Sequence, residues 1–243
     1  MHHSAILRDD TAGPSFEVEA SVTRITIFDL DRTLTKSGTY SPFLLHFARL
    51  NAPWRMAFVP VVLACMGGYK LGLMSRKTLK ETMHRLMIGP RISRARIERF
   101  AEQFAEQQLR LNIYPQAAAL IAREAAEGRT VVLATAAHRL YAQPIAARLG
   151  IRHVVATRSI WRGDELTPSI AGTNCHSGEK LAHLIAYLDA RSIDRHRADL
   201  RFYSDDVSDL PVFDWCDEQI AMNPSQKLKA LAVKKGWQVL DWR

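Results

Sequence analysis

The sequence predicts an α/β fold: a mainly parallel sheet covered by helices on both faces and interrupted by a helical insert. Three observations carry this. Arg24 to Phe28 reads as a short buried strand, rich in β-branched and aromatic residues. From Pro42 to about Asn112 the apolar spacing is helical, with no convincing strand. From Gln116 onward strands and helices alternate, the pattern of parallel strands joined by crossover helices.

The elements follow in chain order. Residues 1–21 read as a loose N-terminal tail, with Asp9, Asp10, Gly13, Pro14 and Ser15 and no apolar core of a signal peptide. Residues 22–40 and 113–243 are assigned to the core domain, and 41–112 to a helical cap. In the cap, Leu79, Met83, Leu86 and Met87 share one helical face, with Ser75 as the cap residue. Ile97, Phe100, Ala101, Phe104 and Leu111 mark another helix starting at Ser93, and Gly89-Pro90 separates the two. Gln116 to Glu127 is a helix ended by Gly128, and Thr130 to Ala134 an apolar strand. His138 to Leu149 is a helix ended by Gly150, and His153 to Thr157 a strand. Arg162-Gly163-Asp164 reads as a hairpin tip. Glu179 to Leu188 is a helix that turns Leu181, Leu184, Ile185 and Leu188 inward. Strands at Leu200–Tyr203 and Gln219–Met222, a helix at Gln226–Lys235 and a last strand at Trp237–Leu240 complete the chain.

The 243 residues are 47% hydrophobic and 24% charged, which suits one large globular domain or a domain with a small insert. The net charge of +8 favours anionic partners: phosphorylated substrates, nucleic acid or an acidic membrane surface. No nucleic-acid-binding motif or basic–aromatic interleaving is present, so nucleic acid is excluded as the expected partner. Cys65, Cys175 and Cys216 are far apart and odd in number. They form no disulfide framework and no zinc spacing, which points to a reducing, cytoplasmic setting.

Four places carry chemistry. Directly after the first strand stands Asp29-Leu30-Asp31-Arg32-Thr33, two carboxylates two residues apart. Ligands bind outside the carboxyl ends of strands in open α/β sheets, so Asp29 and Asp31 are expected in a cleft. One of them can attack phosphorus or hold a metal, and the other can move a proton. Val131 to Thr135 is a strand ending in a hydroxyl before the small residues Ala136 and Ala137. A hydroxyl and backbone amides there suit phosphate oxygens. Lys180 opens a helix and offers a fixed positive charge. Phe202-Tyr203-Ser204-Asp205-Asp206-Val207-Ser208-Asp209 again puts acids after a strand, hard oxygen ligands that suit Mg²⁺.

The order of these sites resembles the haloacid dehalogenase superfamily, over about residues 22–225. It is most similar to the phosphoserine-phosphatase-like subfamily, whose helical cap follows the first motif. The resemblance implies a Rossmann-like core and a phosphatase. It implies Asp29 as the nucleophile, Asp31 as its acid/base partner, Thr135 as the motif-two hydroxyl and Lys180 as the motif-three lysine. Asp205 and Asp209 are then the motif-four acids. Mg²⁺ is expected on Asp29, Asp205 and the Asp31 backbone carbonyl. Asp209 orients its waters or Lys180 from just outside, and counts among the metal-site residues. Two positions depart from the pattern: Asp206 and Arg32 stand where small residues are common.

The substrate is expected to be a phosphomonoester. Phosphoserine enzymes of this subfamily carry an acid soon after the first motif, whereas Lys36-Ser37-Gly38-Thr39-Tyr40 holds none. Met56 to Tyr69 contains no charge and is flanked by Arg49, Arg55, Lys70, Arg76, Lys77 and Lys80. Fourteen residues, interrupted by Pro60 and Gly67-Gly68, are short for a span of about 20. The run reads either as a buried cap helix or as a helix lying in an anionic membrane interface. It also resembles the apolar cap of bacterial phosphatidylglycerophosphate phosphatases, which implies a lipid phosphate and a peripheral place at the inner membrane face. The alternatives are a soluble small-molecule phosphatase and a catalytically silent membrane adaptor.

Overall fold

The structure, a computed structural model, describes residues 22–243. The expected tail at 1–21 lies outside the described residues. The sheet has eight strands, in spatial order 92–93, 165–171, 153–162, 130–138, 23–28, 198–204, 218–222 and 238–240. β1 (Thr23–Phe28) sits at its middle, parallel to β3 (Thr130–His138) on one side and β6 (Ala198–Ser204) on the other. β4 (His153–Arg162) extends the parallel set beyond β3, while β7 (Glu218–Met222) and β8 (Gln238–Leu240) extend it beyond β6. β5 (Glu165–Ala171) turns back on β4 through the expected Arg162-Gly163-Asp164 hairpin, with Gly163 at φ 58°. The chain thus leaves β1 toward β3 and later returns to β1's other edge. Such a switch point opens a crevice at the strands' carboxyl ends.

Alternation within β1 divides the core. Ile25 and Ile27 face one apolar layer with Val132, Leu200 and Phe202. Phe28 faces the other with Leu133 and Tyr203, the Tyr203 ring stacking on it at 4.5 Å. Helices α5 (Ala117–Ala126), α6 (Arg139–Arg148), α7 (Gly178–Asp189), α8 (Leu210–Trp215) and α9 (Gln226–Lys235) supply the outer layers. This is the α/β fold the alternation predicts.

Between β1 and α5 lie α1 (Tyr40–Asn51), a 3₁₀ turn at Pro53–Phe58, α2 (Val59–Lys70), α3 (Arg76–Met87) and α4 (Arg94–Leu111). Ser75 caps α3 as expected: its hydroxyl accepts from the Thr78 N–H at 3.0 Å. Leu79, Met83 and Met87 are buried beneath it. Several expectations fail locally. A two-residue strand, β2 (Ile92–Ser93), pairs with β5, so the insert is not wholly helical. α4 does start at Ser93 as expected, although the Ser93 side chain makes no capping hydrogen bond. Leu111 and Ile185 are exposed rather than inward, because neither position of its helix meets a packed neighbour. β3 continues to His138 through an irregularity between Thr135 and His138, and β4 runs on to Arg162. All three cysteines are free, Cys175 and Cys216 buried.

Candidate active site

The crevice at the end of β1 is a cleft of about 570 Å³ lined by Asp29, Asp31, Thr135, Lys180, Asp205 and Asp209. All six sequence-selected residues are therefore brought together. β1 ends at Phe28, and the Asp29 N–H still donates to the Tyr203 carbonyl at 2.9 Å, fixing Asp29 to the sheet. Its carboxylate accepts from Lys180 Nζ at 2.8 Å and from the Thr33 hydroxyl at 3.2 Å. Lys180 comes from the first turn of α7 and is buried. Its second contact is Asp209 Oδ2 at 2.6 Å, an oxygen that also accepts from the Ser204 hydroxyl at 2.7 Å. Asp209 thus contacts Lys180 directly.

Burial sets the acidities. It pushes Asp29 up to about 6, although the Lys180 charge opposes this. Burial also raises Asp31, opposed first by its hydrogen bonds from Thr39. Those bonds run from the Thr39 N–H at 2.8 Å and hydroxyl at 2.7 Å to one carboxylate oxygen. Asp205 rises to about 8 through burial and then the Asp29 charge. For Lys180 burial disfavours the cation, but Asp209 and Asp29 outweigh it and hold the ammonium above its ordinary range.

These donors fit a hard divalent cation. After burial, the neighbouring Asp29 charge is what disfavours the Asp205 carboxylate, and no protein donor satisfies that carboxylate among the described residues. Asp209 Oδ1 is buried without a hydrogen-bond partner. Among the described residues no three Asp, Glu, His or Cys side chains form a closed metal cage. The Asp31 carboxylate faces Thr39 and Asp209 faces Lys180, so four carboxylates do not converge on one point. Mg²⁺ needs only one or two carboxylates, its remaining positions being filled by water, carbonyl and phosphate oxygens.

Thr135 is buried, and its hydroxyl oxygen accepts from the Ala137 N–H at 3.0 Å. Its own proton remains to donate into the cleft. The two departures from the family pattern have structural accounts. Asp206 caps the turn before Asp209 by accepting from the Ser208 N–H at 2.9 Å. Arg32 sits at φ 63°, the left-handed region that favours glycine, which is why a small residue suits that position. Ser177, just before α7, holds φ 56°, so both Asp31 and Lys180 are neighboured by strained backbone.

The sequence reading missed the cap's share of the site. Lys80 is buried, and its Nζ donates to the Ala136 carbonyl at 2.5 Å and Asn174 Oδ1 at 2.7 Å. Burial and the nearby Arg76 push it down to about 7. Arg76 meets His176 at 3.2 Å, and both line the cleft. The available signal was the position of Arg76 and Lys80 beside Leu79 and Met83, on the face of α3 that turns inward.

Comparison with known proteins agrees with this geometry. A family model described as haloacid dehalogenase-like hydrolase matches residues 26–214. A probable phosphatase of Mycobacterium tuberculosis is 34% identical over 130 residues, 54% of this chain and 44% of that one. The chain thus spans less than half the length of that relative. A phosphoserine phosphatase of the same organism is 26% identical over 244 residues, covering 96% of this chain and 75% of its own. A solved structure of a Bordetella pertussis protein of unknown function aligns with TM-score 0.81 and 27% identity, over 91% of this chain and 99% of that one. With its motif residues gathered in one cleft and the model covering most of its length, the chain belongs to the haloacid dehalogenase-like hydrolases.

Proposed function

We propose that the chain is a Mg²⁺-dependent phosphomonoester hydrolase working through an aspartyl-phosphate on Asp29. One arrangement carries this reading: the buried Asp29–Lys180–Asp209 row at the end of the central strand, with the Asp31 carboxyl two residues on. The Asp29 carboxylate attacks phosphorus, and the bond from phosphorus to the ester oxygen breaks. Asp31, its acidity lowered by burial, gives its proton to the leaving alkoxide. It then takes a proton from the water that attacks the acyl phosphate, releasing orthophosphate and restoring Asp29. Lys180 and the Thr135 hydroxyl offset charge on the phosphoryl oxygens. Asp29, Asp205 and the Asp31 carbonyl would hold Mg²⁺, with Asp209 beside them; when bound it supplies positive charge against the anionic nucleophile and substrate. Residues 41–112 act as a cap that excludes water and selects the substrate.

The substrate reading is a lipid phosphate such as phosphatidylglycerophosphate, handled at the inner face of the cytoplasmic membrane. Every charged residue that the cap contributes to the cleft lining is basic: Lys70, Arg76 and Lys80. An ammonium group such as that of phosphoserine meets no cap carboxylate, while an anionic or uncharged lipid headgroup meets no repulsion. A soluble phosphoserine-like substrate is the second reading, favoured by the name of the relative that matches over 96% of this chain.

The test is a phosphate-ester panel with Mg²⁺ and with chelator. Asp29→Asn is expected to lower kcat by about 10⁴-fold or more without unfolding the protein. Asp31→Asn is expected to lose more with alkyl phosphates than with p-nitrophenyl phosphate, whose leaving group needs little protonation. Substantial turnover by Asp29→Asn, or full activity in chelator, overturns the reading.

A further inference from the structure

We propose that α2 and its flanks form a surface that docks into an anionic lipid bilayer and sets the cleft mouth against the headgroups. The inference rests on reading that cleft as the phosphomonoesterase site, and adds where the site works.

The first observation is exposure. Twelve large hydrophobic side chains are exposed among the described residues, and five of them fall between Trp54 and Leu73. They are Trp54 and Leu63 at 63% and 60%, Leu71 and Leu73 both at 77%, and Val61 at 48%. Within α2 only Val62 is buried. A helix that is apolar all round ordinarily lies inside a core or a membrane. One side of this helix packs on the cap core through Val62, Met66 and Tyr69, and among the described residues Val61 and Leu63 on its other side stay uncovered. Clustered apolar exposure of this kind marks an interaction surface.

The second observation is charge. From Lys36 to Lys80 there is no Asp or Glu; Lys36, Arg49 and Lys70 are exposed, Arg55, Arg76 and Lys77 are half-buried, and only Lys80 is buried. A second copy docked through the same face would set these cations against themselves, because a two-fold interface pairs each patch with its own image. An anionic bilayer offers the complement to both features at once: negative headgroups for the lysines and arginines, and acyl chains for the leucines and Trp54. No described helix is long and apolar enough to cross a membrane, so the contact is one of lying in the interface.

The third observation is position. Met66, Tyr69 and Lys70, from the last turn of the same helix, line the cleft that holds Asp29. A helix seated in the headgroup layer therefore puts the cleft mouth at the surface from which a lipid-borne phosphate would enter.

The test is flotation of the full chain with phosphatidylcholine vesicles, with and without phosphatidylglycerol. Flotation is expected only with the anionic vesicles and should weaken as salt is raised, because exposed charges are screened. The variant carrying Leu63→Glu, Leu71→Glu and Leu73→Glu should partition at least about tenfold more weakly. All three side chains are exposed, so it should keep its activity on p-nitrophenyl phosphate. Val62 is left alone because it is buried. Arg49→Ser, an exposed change outside the cleft, is a second variant expected to weaken flotation less. The proposal is overturned if the wild type stays with the vesicle-free fraction. It is equally overturned if the triple variant floats as well, or if the wild type is a dimer that the triple variant makes monomeric. Flotation needs no turnover, so a wild type that floats but hydrolyses nothing would refute the proposed reaction and leave the docking surface standing.

Discussion

Lys180 is a charged side chain that is 2% exposed, and Leu63 is an apolar one that is 60% exposed. The first lies on the floor of the cleft and the second on the helix at its rim. Burying an ammonium is unfavourable, and here two carboxylates at 2.8 and 2.6 Å offset the cost. Exposing a leucine is also unfavourable, and among the described residues no neighbour offsets it. The floor is thus complete within one chain, whereas the rim is complete only against something else. Electrostatic order belongs to the chemistry, and apolar exposure belongs to the encounter with the substrate's surroundings.

The largest effect should come from breaking the floor. Lys180→Met keeps the volume and removes the charge, leaving Asp29 and Asp209 as uncompensated buried carboxylates. Breaking one side of a buried pair in this way costs about 3–5 kcal/mol. Urea unfolding at neutral pH without Mg²⁺ reads this directly. A loss below about 1 kcal/mol would mean that the two acids do not depend on Lys180, and the contrast between floor and rim would lose its basis.

A smaller effect sharpens the contrast at the junction between cap and core. His84 on α3 is buried, its Nε2 has no hydrogen-bond partner, and its ring lies 6.2 Å from that of His138. Burial pushes His84 down from 6.5 to about 4. Burial likewise holds His138 well below its ordinary value. The fold therefore keeps these rings neutral, while the unfolded chain takes up protons below about pH 6.5. Their stabilising contribution is present above that pH and drains away as pH falls toward 4. For His84 alone the loss between pH 7 and pH 5 is about 2 kcal/mol. Denaturant unfolding at the two pH values should show His84→Leu losing less stability than the wild type by about that amount. Equal losses would show that the junction opens to water and the ring is not held neutral.

The floor was far more legible in the sequence than the rim. Asp29, Asp31, Thr135, Lys180, Asp205 and Asp209 each stand at a strand end or helix start, where local pattern predicts a cleft. Ser75 and the helix at Gln226–Lys235 were readable for the same reason: capping and periodicity are local. Lys80 was not, because its partners Ala136 and Asn174 are 56 and 94 residues away. β2 has two residues, too few to show alternation, and exists only because β5 pairs with it. Met56 to Tyr69 was equally consistent with core and interface. Hydrophobicity records that burial is favourable but not whether the chain itself provides it.

The smallest predicted effect lies at the rim, where an exposed charge sits on unfavourable backbone. Arg32 holds φ 63°, while its N–H donates to the Thr35 hydroxyl at 2.9 Å. That hydrogen bond is to backbone and survives any substitution except proline. Left-handed backbone costs an ordinary L-residue roughly 1–2 kcal/mol. Glycine escapes this cost but loses about 0.5–1 kcal/mol through its greater freedom when unfolded. Arg32→Gly should therefore gain at most about 1.5 kcal/mol, a rise of no more than about 3–6 °C in Tm for a chain of this size. Arg32→Ala separates the causes, since it removes the cation but keeps the Cβ. If alanine stabilises as much as glycine, charge repulsion at the basic rim is the burden. If only glycine does, the burden is the turn that aims Asp31 at Thr39, and the rim's charges are tolerated because they face outward to an anionic partner.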